Sequence, residues 1–315
     1  MLYITTKDQK DAHTAYKTLV SDCAADGGLY IPFRLPIYSQ EELREMSKQS
    51  FGEIVAQILN YFFSAQLTGW DVDFAIGRNP LKLASVGRKI TVAELWHNHA
   101  SSYFCVVKNL FGILTKNDGV AAAPTDWAKV AVRISVLFGI YAEMLRTEMI
   151  TLDDSFDISM EAGSYFDPIS ACFACKMGLP VSKIIVCCDS ENAVLWDLVH
   201  RNEISTISLS SNVRLGIERL LCVFYGEAEM NRFIELCDKK RTYSVNEDLL
   251  QCLSDRMFCV VVGKDRLSAV VNSVLNTDNY KIDKKTAISF GAIQDYRAKA
   301  GESRRTLVFS ENRPL

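Results

Sequence analysis

Residues 156–160 have the sequence FDISM, residues 168–177 have PISACFACKM, and residues 183–188 have KIIVCC. The first and third of these runs are short and apolar, whereas the run between them has apolar residues at helical spacing. A strand, a helix and a second strand in this order are typical of a βαβ unit, whose two strands are parallel. This stretch therefore predicts an α/β fold with a mainly parallel sheet flanked by helices.

The same alternation continues to the C-terminus and favours further strands and helices of the same body. The predicted strands are residues 156–160, 183–188, 205–209, 257–262 and 306–309. The predicted helices are residues 168–177, 193–200, 213–224, 230–239, 246–253, 267–275 and 286–299. Gly178 and Pro180 are expected to end the first of these helices.

Toward the N-terminus the pattern becomes helical. Residues 39–42, SQEE, fit a capping box, and residues 51–62 carry an apolar stripe at helical spacing. Residues 69–89 are predicted to be a connector, and Asp126 is the expected N-cap of a long buried helix. We therefore expect an N-terminal helical portion beside one compact α/β body, without a separate small domain.

Composition excludes several classes of protein. The 315 residues carry 35 Lys plus Arg against 38 Asp plus Glu, so a dedicated nucleic-acid binder is not expected. No run reaches the roughly 18 apolar residues of a membrane span, since residues 130–145 contain Arg133 and Glu143. The ten cysteines have no framework spacing. Together these features predict a cytoplasmic protein that binds neither nucleic acid nor membrane.

Seven blocks along the chain resemble the threonine synthases, which are fold-type-II enzymes that use pyridoxal phosphate (PLP). In chain order the blocks are YITT at 3–6, DGGLYIP at 26–32, ELWH at 94–97, DWAK at 126–129, KMGLP at 176–180 followed by KIIV at 183–186, ERLL at 218–221 and DKKTA at 283–287. The resemblance implies a reduced fold-type-II core. It divides the chain into a threonine-synthase-like segment at 1–90 and an α/β core at 91–315 that lacks most of the family's small domain.

The departures from the family lie where the resemblance would place the cofactor. Phe104 occupies the position of the lysine that forms the Schiff base, and a phenyl ring cannot form an imine. The nearest lysine is Lys108. We expect no catalytic residue at this position.

The family's phosphate loop is also altered, because the matching positions carry Gly163, Ser164, Tyr165, Phe166 and Asp167. Glycine allows backbone amides to close on a phosphate, and Phe166 replaces one of the family's glycines. These five residues are therefore predicted to be a vestige of the cofactor site.

Two further departures concern the substrate and the pyridine ring. The family's insert between Phe111 and Trp127 is reduced to a short connector, and Glu311 lies where the family's pyridine-nitrogen ligand is expected. Glu311 is thus counted with the vestigial site, with an exposed C-terminal carboxylate as the simpler alternative.

These departures favour a threonine synthase-like pseudoenzyme that binds a protein partner or a small ligand and needs no cofactor. One alternative is an active PLP-dependent lyase of altered specificity that uses another lysine. A second is a redox or metal module built on Cys172 and Cys175, although both lie inside a predicted helix and are expected to pack in the core. Metal binding by His97 and His99 lacks further ligands in the sequence.

If the fold is retained, Phe104 and Phe166 are both expected to point into the former cofactor space and to fill it. Replacing either by alanine would then cost about 3 kcal/mol or more as a cavity mutation.

Overall fold

The computed structural model describes residues 1–78, 81–97, 102–116, 123–163, 165–188, 193–301 and 304–314. The strands are β1 (Leu2–Thr5), β2 (His13–Thr14), β3 (Tyr30–Pro32), β4 (Lys82–Val86), β5 (Ile90–Glu94), β6 (Phe156–Glu161), β7 (Val181–Cys188), β8 (Met257–Val261) and β9 (Thr306–Ser310). The first helices are α1 (Ala15–Val20), α2 (Gln40–Met46), α3 (Phe51–Phe63), α4 (Gly69–Ile76), α5 (Tyr103–Leu114), α6 (Asp126–Arg146) and α7 (Phe166–Lys176). The later helices are α8 (Val194–Arg201), α9 (Ser211–Tyr225), α10 (Glu227–Asp238), α11 (Glu247–Arg256), α12 (Leu267–Asp278) and α13 (Lys284–Ala300).

Contacts group the chain into two compact units instead of the single body expected from the sequence. The first unit contains Met1–Leu83, Glu94–Asp154 and Ser170–Leu179. The second contains Ala84–Ala93, Ser155–Ile169 and Pro180–Leu315. The boundary at residues 90 and 91 rests on the resemblance and stays a prediction.

The first unit combines a small antiparallel sheet with a helical core. Its strands have the order β2-β1-β3, and Tyr3 pairs with His13 on one side and with Pro32 on the other. The predicted capping box is present, since Ser39 accepts from the amide of Glu42 while the Glu42 carboxylate accepts from the amide of Ser39. The buried helix α6 begins at Asp126 but is capped by Thr125, whose hydroxyl accepts from the amide of Ala128.

The second unit is built on a six-stranded sheet with the order β4-β5-β9-β6-β7-β8 in the described residues. Strands β9, β6, β7 and β8 are parallel, with Ser159 of β6 paired to Val308 of β9 and to Ile185 of β7. All five residues of β9 are buried, as expected of a strand covered on both faces. The prediction of an α/β fold with a mainly parallel sheet flanked by helices is confirmed.

The predicted strand at residues 205–209 is wrong, because Thr206–Ser208 form a 3-10 helix. The Thr206 hydroxyl donates to the carbonyl of Arg241 at 2.6 Å. This bond joins the 3-10 helix to the backbone of a segment 35 residues further along the chain. Sheet pairing at this point is reduced to an isolated bridge between Ile204 and Tyr243.

The predicted connector at residues 69–89 is also wrong, because it contains helix α4 and strand β4. Thr68 and Asp71 form a capping box at the start of α4. This is the same signature as at residue 39, with aspartate in place of glutamate.

Gly178 ends α7 as expected and cannot be replaced easily. Its φ is +107°, and a Cβ at this position would lie 2.3 Å from the carbonyl oxygen of Tyr38. The adjacent Met177 carbonyl accepts from the amide of Tyr38 at 2.8 Å. The close approach of the two backbones therefore requires glycine.

No helix in the part of the chain that the structure describes is long and apolar enough to cross a membrane.

Candidate functional site

Four charged side chains meet at the carboxyl ends of two neighbouring parallel strands. Glu161 is the last residue of β6, and Glu311 directly follows β9. Asp167 lies in the first turn of α7, and Lys285 is the second residue of α13. We call these four residues the charged cluster. In open α/β sheets, ligands bind outside the carboxyl ends of the strands, so this edge is the expected place for a site.

The charged cluster surrounds a cavity of about 20 Å³, which also contacts Ser159 and Ser289. Lys285 Nζ lies 2.6 Å from Glu311 Oε2 and 4.0 Å from Glu161 Oε2. Oε1 of Glu161 is buried and has no hydrogen-bond partner among the residues described. A cavity of this volume is about the size of one water molecule.

The electrostatics of the cluster follow from burial and from an excess of carboxylates. Burial raises the pKa of Glu161 to about 7, and the carboxylates of Glu311, Asp167 and Asp283 act in the same direction while Lys285 opposes them. Burial works against the charge of Lys285, yet Glu311 and the other carboxylates raise its pKa. The cluster therefore holds an ammonium group and a carboxyl group that titrates near neutrality.

Among the described residues that were predicted for the vestigial cofactor site, Asp167 and Glu311 lie together in the charged cluster. Gly163 is exposed, with a φ of +44°, and no atom lies within 4 Å of a Cβ placed there. Tyr165 is fully buried with a φ of +65°, and Phe166 is half-buried. Ser164 lies outside the described residues.

These residues do not fit the phosphate of PLP. The backbone amide of Tyr165 donates to the carbonyl of Ala162 at 2.6 Å and is thereby engaged within the loop. Three carboxylates line the adjacent cavity, and their cation Lys285 is paired with Glu311. A phosphate would meet like charges here instead of the converging amides that bind anions.

Phe104 does not fill a buried space, so this expectation is wrong. It is the second residue of α5 and is 68 % exposed. Lys108, four residues later on the same helix, is also exposed. The residues of α5 that are buried are Tyr103, Val106, Val107, Leu110, Phe111 and Leu114. Phe104 falls outside this apolar stripe, and its ring therefore faces away from the helix's packed side.

We consequently expect Phe104→Ala to change the free energy of unfolding by less than about 0.5 kcal/mol, because no core cavity is created. Urea denaturation of the variant and the wild type gives this difference. A loss near 3 kcal/mol would show that Phe104 is packed in solution. Phe111→Ala, on the buried side of the same helix, is the matched control and is expected to cost about 3 kcal/mol or more.

Sequence reasoning did not identify Glu161 and Lys285 as site residues. Glu161 directly follows the buried run FDISM, and Lys285 belongs to the block DKKTA. A charged residue directly after a buried parallel strand was the available signal, because such residues gather at one edge of the sheet.

The structure describes three of the four cysteines and histidines that were predicted as alternative sites. Cys172 and Cys175 lie within α7, as expected from the sequence. Cys172 is buried and Cys175 is half-buried. His97 Nε2 lies 2.7 Å from Glu94 Oε2, and His99 lies outside the described residues. Among the residues described, no group of three or more His, Cys, Asp or Glu is arranged to hold a metal ion.

Comparison with known proteins agrees with the resemblance seen in the blocks. Residues 2–78 match a family model described as the threonine synthase N terminus. A Pongo abelii protein named threonine synthase-like 1 is 22 % identical over 209 residues, which cover 59 % of this chain and 28 % of that protein. The chain thus spans less than a third of the length of this curated relative.

Solved structures show the same fold over the whole chain. A PLP-bound threonine synthase from Brucella melitensis has a TM-score of 0.80 at 15 % identity, covering 100 % of this chain and 89 % of that one. Threonine synthase from yeast has a TM-score of 0.77 at 16 % identity, covering 99 % and 87 %. The N-terminal residues of the chain thus match the threonine synthase family, and the chain as a whole shares the fold of the threonine synthases.

Proposed function

We propose that this chain is a threonine synthase-like protein that has lost PLP-dependent catalysis and has kept a binding role in the cytoplasm. The charged cluster carries this proposal. A site for PLP needs room and anion-binding groups for its phosphate, whereas this edge of the sheet has a cavity of about 20 Å³ lined by Glu161, Asp167 and Glu311.

Phe104, which lies in the first unit, supports the same conclusion. It replaces the amine that the resemblance requires, and its side chain has no group that could form an imine or transfer a proton. Loss of the amine and loss of the phosphate site are independent changes, and either one alone would weaken cofactor binding. A protein partner or a small ligand other than PLP is therefore expected to bind this chain.

Titration with PLP tests this proposal. We expect no imine absorbance band in the purified protein with added PLP, and no protein-bound pyridoxyl group after borohydride reduction. Yeast threonine synthase serves as the positive control. Phe104→Lys restores the amine without the phosphate site, so this variant is also expected to bind PLP far more weakly than the control enzyme.

The alternative of an active lyase rests on Lys108, which is exposed one helical turn beyond Phe104. If the wild type forms a reducible imine, peptide mapping identifies the modified lysine. Lys108→Ala should then abolish the band, whereas Lys116→Ala, a matched exposed lysine after the same helix, should leave it unchanged. A site-specific imine that depends on Lys108 would overturn the loss of cofactor binding.

A further inference from the structure

The second unit contains a larger cavity, and none of the residues that line it belongs to the charged cluster. It has a volume of about 530 Å³ and lies among α12, the start of α13 and the residues that follow β9. Cavities of roughly 300–1,000 Å³ accommodate small-molecule ligands. The cavity is thus large enough for an organic molecule, unlike the cavity of the charged cluster. We call it the α12–α13 cavity.

Two cations and one carboxylate line the α12–α13 cavity, namely Lys284, Arg313 and Asp283. Asp283 Oδ1 accepts from the backbone amide of Thr286 at 2.7 Å as the N-cap of α13. The carboxylate is therefore engaged with the helix, and the side chains that line the cavity carry two positive charges and one negative charge. In the described part of the chain, Lys284 makes no ion pair.

The remaining lining is apolar or uncharged. Ile282 is almost fully buried, and Val271 of α12 is half-buried. Asn272 and Asn312 add amide groups that can both donate and accept hydrogen bonds. Such a lining suits a molecule that has one anionic end and a short organic body.

We propose that the α12–α13 cavity binds a small organic anion, whose carboxylate or phosphate contacts Lys284 and Arg313 and whose organic part lies against Val271 and Ile282. This inference rests on the proposed binding role and names the class of ligand. Arginine and lysine form charge-assisted hydrogen bonds with carboxylates and phosphates, which are stronger than neutral ones.

Calorimetric titration with three probes tests the inference: succinate, glycerol 3-phosphate and inorganic phosphate. We expect one of the two organic anions to bind, and to bind more tightly than inorganic phosphate, which has no body to contact the apolar wall. Comparing the dissociation constants of succinate and glycerol 3-phosphate shows whether the cavity prefers a carboxylate or a phosphate ester.

Two matched pairs of variants locate the binding. Lys284→Ala should weaken binding about tenfold or more, whereas Lys281→Ala, an exposed lysine three residues away that is not part of the lining, should leave the dissociation constant within about twofold. Asn272→Trp should fill the cavity and weaken binding by a similar factor. Ser273→Trp, the next residue of α12 and on a different side of the helix, should not.

Failure of all three probes to bind would overturn the inference. So would equal weakening by Lys281→Ala and Lys284→Ala, because the effect would then be one of net charge. Formation of a reducible imine with PLP would instead contradict the proposed loss of catalysis and leave the variant comparison unchanged, so the two failures are distinguishable.

Discussion

Trp127→Ala is expected to lower the free energy of unfolding by about 3–5 kcal/mol, as a large aromatic side chain is removed from a closed core. Trp127 is 1 % exposed and lies near the start of α6. Its ring makes edge contacts with Tyr3, Phe62 and Phe173, at centroid distances of 5.8, 5.5 and 5.4 Å. The substitution therefore opens a cavity among three aromatic rings that belong to β1, α3 and α7.

A buried hydrogen bond is lost at the same time. Trp127 Nε1 donates to the hydroxyl oxygen of Tyr3 at 2.8 Å, and that hydroxyl donates to the carbonyl oxygen of Phe62 at 2.8 Å. Tyr3→Phe removes the acceptor of the first bond and the donor of the second, and is expected to cost about 1–3 kcal/mol because both partners stay buried. The Trp127→Ala effect should be larger because it adds the cavity.

Urea denaturation followed by circular dichroism measures both variants. Trp70→Ala is the control, since Trp70 is 65 % exposed on α4 and its loss should change stability by no more than about 0.5 kcal/mol. If Trp127→Ala cost less than about 1 kcal/mol, Trp127 could not be the centre of this core.

The sheet could be predicted where strands are buried on both faces. β7 and β9 are largely apolar, β6 has an apolar residue at every second position, and each of the three follows a helix, which is typical of a parallel sheet. β4 was missed because its residues are mostly exposed or half-buried at an edge of the sheet, so its sequence has no apolar run. The error at residues 205–209 has a different cause, because residues 206–208 form a 3-10 helix there and the Thr206 hydroxyl donates to the carbonyl of Arg241, which is distant in the sequence.

The candidate site could be predicted only in part, because its residues come from four separate elements. Asp167 and Glu311 were found through the resemblance, and the structure places them in one cluster. Glu161 and Lys285 belong to the site because Lys285 Nζ lies 4.0 Å from Glu161 Oε2 in the folded chain. No sequence pattern predicts this proximity. The prediction for Phe104 was wrong about the direction of its side chain. Successive residues of α5 point to different sides of the helix, so Tyr103 is buried whereas Phe104 is exposed.

The stability of the protein is expected to decrease between about pH 4.5 and pH 7, and Glu161 is expected to be a major cause. Its carboxyl has a pKa of about 7 in the folded protein, against an ordinary value of 4.5 for glutamate. The folded state therefore binds the proton more tightly than the unfolded state does. Since the unfolded chain holds fewer protons in this range, the free energy of unfolding falls as the pH rises. With about 1.4 kcal/mol for each pKa unit, the loss amounts to about 3 kcal/mol.

Glu161→Gln isolates this contribution, because glutamine is uncharged at every pH. The variant should be more stable than the wild type by up to about 3 kcal/mol at pH 8, and the difference should shrink as the pH falls toward 4.5. Asp157, whose pKa burial raises to about 6, contributes in the same direction but is present in both proteins. Glu203→Gln, at an exposed position, is the control and should not change the pH profile.

The neighbours of Glu161 decide where the transition lies. Lys285 favours the charged carboxylate, so Lys285→Met should move the midpoint of the pH profile upward. Glu311 and Asp167 disfavour that charge, so removing either carboxylate should move the midpoint downward. Glu311→Gln should have the larger effect, because it also releases Lys285 from its ion pair at 2.6 Å. Urea denaturation at several pH values measures all of these profiles. A Glu161→Gln profile parallel to that of the wild type would show that Glu161 titrates normally, and midpoints that shift in one direction for both Lys285→Met and Glu311→Gln would contradict the electrostatic origin of the shift.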